Sequence, residues 1–132
     1  MKVFVDTSAI LSGLNSADDK HEPAAKAWGK FLAESTLLVT TNYVVVESLA
    51  VIQGRLGVPA VRAFLEEVVP ALRVEWVDED THKAASAALL AAGRRGLSLV
   101  DLSSFETMRR LGIRSAFTFD RHFRQYGFET LP

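Results

Sequence analysis

Apolar and polar positions switch between two periods along this chain, and the switching predicts its elements. The opening "KVFV" is a short apolar run met at once by an acid, the pattern of a buried strand ending at Asp6. "SAILSGL" starts a short helix with Ser8 near its cap. In "SADDKHEPAAKAWGKFLAES" a polar entry precedes Ala25, Trp28, Phe31 and Leu32 at helical spacing, which predicts an amphipathic helix. "TLLVT" reads as a second strand. "TNYVVVESLAVIQGRLG" is ambiguous, because its valines favour a strand while its length, Thr41 as a cap and Gly57 as a stop favour a helix. Pro59 opens "PAVRAFLEEVVPAL", a helix that Pro70 shortens. "RVEWV" predicts a third strand and "DEDTHKAASAALLAAGRRG" an Ala-rich helix with an acidic first turn. "SLVDLSSFETMRRLG" follows as a helix closing at Gly112, then "SAFTF" as a fourth strand, "DRHFRQYG" as a turn of helix and "FETLP" as the end.

Strands that alternate with helices predict an α/β fold: a three-layer α/β/α sandwich around a central, mostly parallel twisted sheet. No repeat, linker or Pro/Gly/Ser-rich boundary divides the chain, so residues 1–132 are expected to form one domain. In such sheets ligands bind beyond the carboxyl ends of the strands, where the strand order switches. Asp6 follows "KVFV" and Asp120 follows "SAFTF", so both acids are expected on that rim.

Composition narrows the chemistry. Hydrophobic residues at 48% and charged residues at 23% argue against a disordered arm. The absence of cysteine excludes a disulfide framework, thiolate metal sites and a Cys nucleophile, and suits a reducing compartment. "MKVFVD" meets an acid too early for a secretory signal, and no run approaches the roughly 20 apolar residues that span a bilayer. A soluble, cytoplasmic protein with no membrane partner is expected. The net charge of −1 carries no nucleic-acid signal by itself. Its distribution says more: residues 1–92 hold 8 Lys/Arg against 12 Asp/Glu, and residues 93–132 hold 7 Arg against 4 Asp/Glu. Those arginines could contact phosphates, although solvated helix ends explain them equally well.

Two further carboxylates interrupt apolar helical stretches: Glu47 in "YVVVESLAVI" and Asp101 in "GLSLVDLSSF". Each acid also has a structural explanation. Asp6 could cap the helix after the first strand, Asp120 could cap "RHFRQY", and Ser98-x-x-Asp101 resembles a capping box. Glu47 is the hardest to explain that way, because charges are rarely buried without a partner. Four converging carboxylates have a common physical reason in a hard divalent cation, Mg²⁺ or Mn²⁺, which takes oxygen ligands and relieves their repulsion. Such a cation can acidify water and hold phosphodiester oxygens for in-line hydrolysis. The sequence has no Walker or dinucleotide-binding glycine motif that would point to a different phosphate chemistry.

"VDTSAIL", "TTNYVVVESLAVI", "LSLVDLSSFETMRRLGI" and "AFTFDRHF" together resemble the PIN-domain ribonucleases, most closely the toxins of VapBC-type toxin–antitoxin pairs. The resemblance runs the length of the chain with the motifs in family order. It implies a metal-dependent site built from Asp6, Glu47, Asp101 and Asp120 as catalytic and metal-binding acids. The hydroxyls of Thr7, Ser8 and Thr118 are implied as supporting contacts around it. It further implies cleavage of RNA, Mg²⁺ or Mn²⁺ dependence, homodimerisation, and inhibition by a small antitoxin whose C-terminal segment fills the active-site groove. One departure is "DLSSF" after the third acid, where many members carry small Ala-rich residues, which affects local packing and not the acids.

The leading expectation is an endoribonuclease toxin whose hydrolysis leaves 5′-phosphate and 3′-hydroxyl ends. The alternatives are a PIN-like module that binds RNA or protein without cutting, and a phosphohydrolase with Asp6 as nucleophile, which "DTSAI" disfavours for want of a second Asp. Arg121, His122 and Arg124 are candidate RNA contacts beside the last acid, while His21 and His82 read as surface or structural residues. Trp28, Phe31, Phe64 and Trp76 fall at apolar positions and read as core or dimer packing. The segment "YVVVESLAVIQGRLGVPAVRAFLEEVV" has more apolar positions than one core face needs, which suggests a dimer surface.

Overall fold

A computed structural model describes residues 1–132. The apolar runs Lys2–Val5 (β1), Leu37–Thr41 (β2), Arg73–Glu75 (β3), Ser115–Phe117 (β4) and Glu129–Leu131 (β5) pair, all parallel, in the order β3-β2-β1-β4-β5. Val3, Phe4 and Val5 at the centre are fully buried, as a strand covered on both faces requires. "FETLP" supplies a fifth strand not predicted from the sequence; three residues before a proline give too short a pattern to recognise.

The helices are Thr7–Leu14 (α1), His21–Ala33 (α2), Asn42–Arg55 (α3), Val58–Ala63 (α4), Glu79–Ala92 (α5), Leu99–Leu111 (α6) and His122–Gln125 (α7). The register shows how they form two layers. Phe4 pairs with Ala116 and Val5 with Phe117, so Phe4 and Phe117 point to opposite faces of the sheet. Phe117 meets the edges of Trp28 and Phe31 from α2, with ring centroids 5.1 Å and 5.3 Å away. Phe4 meets Phe123 of α7, which packs edge-on at 4.9 Å against Phe105 of α6. The result is the three-layer α/β/α arrangement expected from the sequence.

Thr41 settles the ambiguous segment as helix α3: its backbone is extended and its hydroxyl accepts from Val44 N at 3.2 Å. The helix begun at Val58 widens into a π turn over Phe64–Val68 and ends in a tight turn at Val69–Ala71, where Pro70 removes a backbone donor. Phe31 and Phe64 are core residues and Trp28 is half-buried against the core, but Trp76 lies beyond the shorter β3 and is 78% exposed. In the apolar segment from 43 to 69, Val46, Val58 and Leu65 are exposed. No helix is long and apolar enough to cross a membrane.

The chain runs outward from β1 through β2 to β3, then returns to the other side of β1 for β4 and β5. The switch point therefore lies between the carboxyl ends of β1 and β4. Asp6 directly follows β1, and Asp120 lies three residues beyond Phe117, the end of β4.

Candidate active site

Asp6 leaves β1 through a backbone hydrogen bond from its N–H to Phe117 O at 3.1 Å, and it caps α1. Its Oδ2 accepts from Ser8 Oγ at 2.8 Å, Thr118 Oγ1 at 2.9 Å and, more weakly, Ser8 N at 3.4 Å. A hydroxyl has one proton, and both hydroxyls spend theirs on Oδ2. The 3.2 Å between Ser8 Oγ and Thr118 Oγ1 is thus a contact between two acceptors. Ser8 Oγ accepts from Phe119 N and Thr118 Oγ1 from Asp120 N, each at 2.9 Å. These bonds fix the loop after β4 against the start of α1, and none of them uses Asp6 Oδ1. Ser8 also occupies the place where an Asp-nucleophile phosphohydrolase would carry its second acid.

Burial pushes the Asp6 carboxyl up from 3.8 to about 6. The Ser8 and Thr118 hydroxyls pull it back, and the negative charges of Asp101 and Asp120 push it further up. Asp101 is raised as well, first by burial and also by the Asp120 charge, against hydrogen bonding to Ser98. The three acids therefore share one electrostatic environment.

Asp101 is the third residue of α6, and the capping box foreseen in the sequence is present. Ser98 N donates to Asp101 Oδ2, and Asp101 N donates to Ser98 Oγ, both at 3.1 Å. The structural explanation and the site are thus compatible, since one Oδ2 bond fixes the side chain beside its neighbours. One donor atom from each of Asp101, Asp120 and His122 lies within 4.8 Å of the others. His122 Nδ1 is 2.8 Å from Asp120 Oδ1, an ion-pair distance, yet this buried atom has no hydrogen-bond partner. An orphaned nitrogen beside Asp101, whose carboxyl burial and the Asp120 charge push up, fits a site for a divalent cation.

Glu47 sits in the second turn of α3, half-buried, with no side-chain hydrogen bond or ion pair, and is not one of that trio. Its neighbour Ser48 donates to Thr7 Oγ1 at 3.3 Å, which ties α3 to the first residue of α1. Thr7 thus supports the helix carrying Glu47, whereas Ser8 and Thr118 support Asp6 directly. Beside Asp120 a cleft of about 250 Å³ is lined by Lys20, Arg121, Arg124 and Thr130 among others. Arg124 donates to Thr130 Oγ1 at 2.8 Å, and Arg121 is exposed. Sequence reasoning missed Lys20, which is distant in sequence, and placed His122 only as an RNA contact. The Asp-x-His spacing was the available sign of its place among the acids, because a two-residue step at a helix start returns the side chain toward the cap.

A family model described as the PIN domain matches residues 3–129. The chain is 33% identical over 127 residues to the 23S rRNA-specific endonuclease VapC20 of Mycobacterium tuberculosis strain H37Rv, covering 96% of this chain and 95% of the relative. The crystal structure of M. tuberculosis VapC20, described as a sarcin-ricin loop cleaving toxin, superposes with a TM-score of 0.86 over 98% of this chain and 99% of that one. VapBC2 from Rickettsia felis, crystallised with a DNA fragment from its promoter, shares the fold at 11% identity, with a TM-score of 0.72 over 98% of this chain and 97% of that one. FitAcB from Neisseria gonorrhoeae does so at 15% identity, with a TM-score of 0.71 over 100% and 97%. With the family model matching residues 3–129 and a relative 33% identical over 96% of its length, the chain belongs to the PIN-domain family.

Proposed function

We propose that residues 1–132 form one nuclease domain that cuts RNA internally as the toxin of a toxin–antitoxin pair, acting in the cytoplasm with Mg²⁺ or Mn²⁺. Asp6, Glu47, Asp101 and Asp120 are its acids, and the cuts leave 5′-phosphate and 3′-hydroxyl ends. The observation that carries this reading is the buried Asp6 carboxylate, held by two hydroxyls on Oδ2 alone and pushed up to about 6 beside Asp101 and Asp120. Burying a carboxylate next to two others is costly unless the site has a use for the charge. A bound divalent cation supplies Lewis acidity toward water and charge toward phosphate oxygens. The residues supply the rest. Ser8 and Thr118 hold Asp6 in one rotamer, and the Ser98 box holds Asp101. Lys20, Arg121, Arg124 and His122 flank the acids where RNA phosphates would lie.

The relative named a 23S rRNA-specific endonuclease makes 23S rRNA the first substrate to test. An antitoxin partner is supported by the VapBC neighbour. An apolar groove of about 290 Å³ between α1 and α2, lined by Ile10, Leu14, Trp28 and Leu32 among others, would suit an apolar segment of such a partner. Homodimerisation is supported by the exposed Val46, Val58 and Leu65.

The test compares wild type with Asp6→Asn on 23S rRNA and on a mixed RNA pool, with Mg²⁺ or Mn²⁺ and with EDTA, and sequences the fragment ends. Cuts that carry 5′-phosphate and vanish in both the variant and the chelator are expected. Ends bearing 2′,3′-cyclic phosphate would overturn the hydrolytic mechanism, and an RNA-binding protein with no turnover would leave a binding module.

A further inference from the structure

The acids of a PIN-type site are oxygen donors, but this chain adds a nitrogen to them. Nδ1 of His122 lies 2.8 Å from Asp120 Oδ1 without a hydrogen bond between them. The backbone N–H of His122 already donates to that same oxygen at 2.9 Å, which anchors Asp120 and the ring together. Gly96 lies alongside the Cε1–Nε2 edge of the ring, where a side chain in its place would come within 3.5 Å of both atoms. Nδ1 is the ring atom beside the Asp120 carboxylate. Two lone pairs at such a distance repel unless a proton or a cation stands near both. Two donors on one ion at about 2.1 Å and roughly a right angle would be about 3 Å apart, close to the separation seen.

We propose that His122 is a ligand of the cation in this site, through Nδ1, and that it turns the site from one favouring Mg²⁺ into one favouring a first-row transition ion such as Mn²⁺. The proposal rests on the metal-dependent reading above. Mg²⁺ holds hard oxygen ligands and keeps its waters, whereas imidazole suits transition ions. Asp101 and Asp120 complete the donor set, and Asp6, outside that trio, keeps Oδ1 free of the hydrogen bonds on its carboxylate. The substitution that separates nitrogen from oxygen is His122→Asn, because the amide oxygen of Asn can reach the position of Nδ1 and replace a soft donor with a hard one.

The full chain, stripped of metal by chelation and dialysed, is titrated with Mn²⁺ and with Mg²⁺ by calorimetry. Wild type is expected to bind Mn²⁺ more tightly than Mg²⁺ by on the order of tenfold, and His122→Asn to bring the two ions close to parity. Pulsed electron paramagnetic resonance of Mn²⁺-loaded wild type is expected to show ¹⁴N modulation from a bound imidazole. That measurement needs no variant, so it decides the matter even where His122→Asn misfolds. Mn²⁺ binding without ¹⁴N modulation, or an ion preference unchanged in a folded variant, would overturn the ligand assignment and leave the nuclease reading standing. A wild type that binds neither ion would overturn both.

Discussion

The two halves of the rim are built differently. On the β1–α1 side, Asp6 is 5% exposed, and Ser8 and Thr118 each give a proton to it and take a backbone N–H in return. On the α6–α7 side, Asp101, Asp120 and His122 are only half-buried, and a buried ring nitrogen has no partner. The first half is fixed before any ligand arrives; the second is left with donors to spare. Thr118 is the link, because it holds Asp6 through its proton and Asp120 through its lone pair. A closed half positions, and an open half completes itself on a ligand.

The largest effect is expected at the fixed half. Asp6→Asn keeps the shape and the capping acceptor but removes the charge, so cleavage should fall on the order of a thousandfold, the equivalent of about 4 kcal/mol, in single-turnover assays. Near-wild-type cleavage would place the chemistry elsewhere. Stability should move the other way. The folded carboxyl is raised from 3.8 to about 6, so between these values the folded state binds more protons than the unfolded one. Metal-free wild type should therefore gain stability as pH falls through about 6 and level off near 4, by at most about 3 kcal/mol. Asp6→Asn should lose that slope and melt higher than wild type at neutral pH without metal. Denaturant melts across the pH range read both, and a flat wild-type profile would contradict the buried, charged Asp6.

Next in size is the link. Thr118→Val keeps the volume but removes the donor to Asp6 Oδ2 and the acceptor for Asp120 N. Leaving buried polar groups unpaired should cost about 1–3 kcal/mol of stability. The same loss should push Asp6 further up, since the Thr118 bond lowers it, and should shift the pH profile upward. A stability loss with no shift in that profile would mean that Thr118 serves packing alone.

How legible these halves were differs for a physical reason. The three-layer fold follows from periodicity, and the rim follows from strand order, so Asp6 and Asp120 could be placed from "KVFVD" and "SAFTFD". α3 was resolved by one residue, Thr41, because a cap is a local signal. Trp76 is not a core residue, because β3 stops at Glu75 short of the predicted "RVEWV", and apolar character does not reveal where a strand stops. His122 and Lys20 were hidden for another reason: their meaning depends on which side chains the fold brings beside Asp101 and Asp120, which no spacing encodes. Glu47 was legible as an anomaly in an apolar helix, but its lack of any polar partner could only be seen in three dimensions.

The smallest effect is expected at the open half, and it tests whether the capping box and the site are one device. Ser98→Ala removes the acceptor for Asp101 N while the backbone N–H of residue 98 can still donate to Asp101 Oδ2. Loss of an N-cap should cost about 1 kcal/mol in thermal or denaturant melts. If the cap only starts the helix, Mn²⁺ affinity should be unchanged. If it also holds Asp101 in the rotamer that faces Asp120 and His122, affinity should fall by about tenfold, as it does when ligand-orienting partners are removed. A cation that restores the melt of Ser98→Ala to the wild-type value would show the open half completing itself on the ion, which the closed half around Asp6 has no need to do.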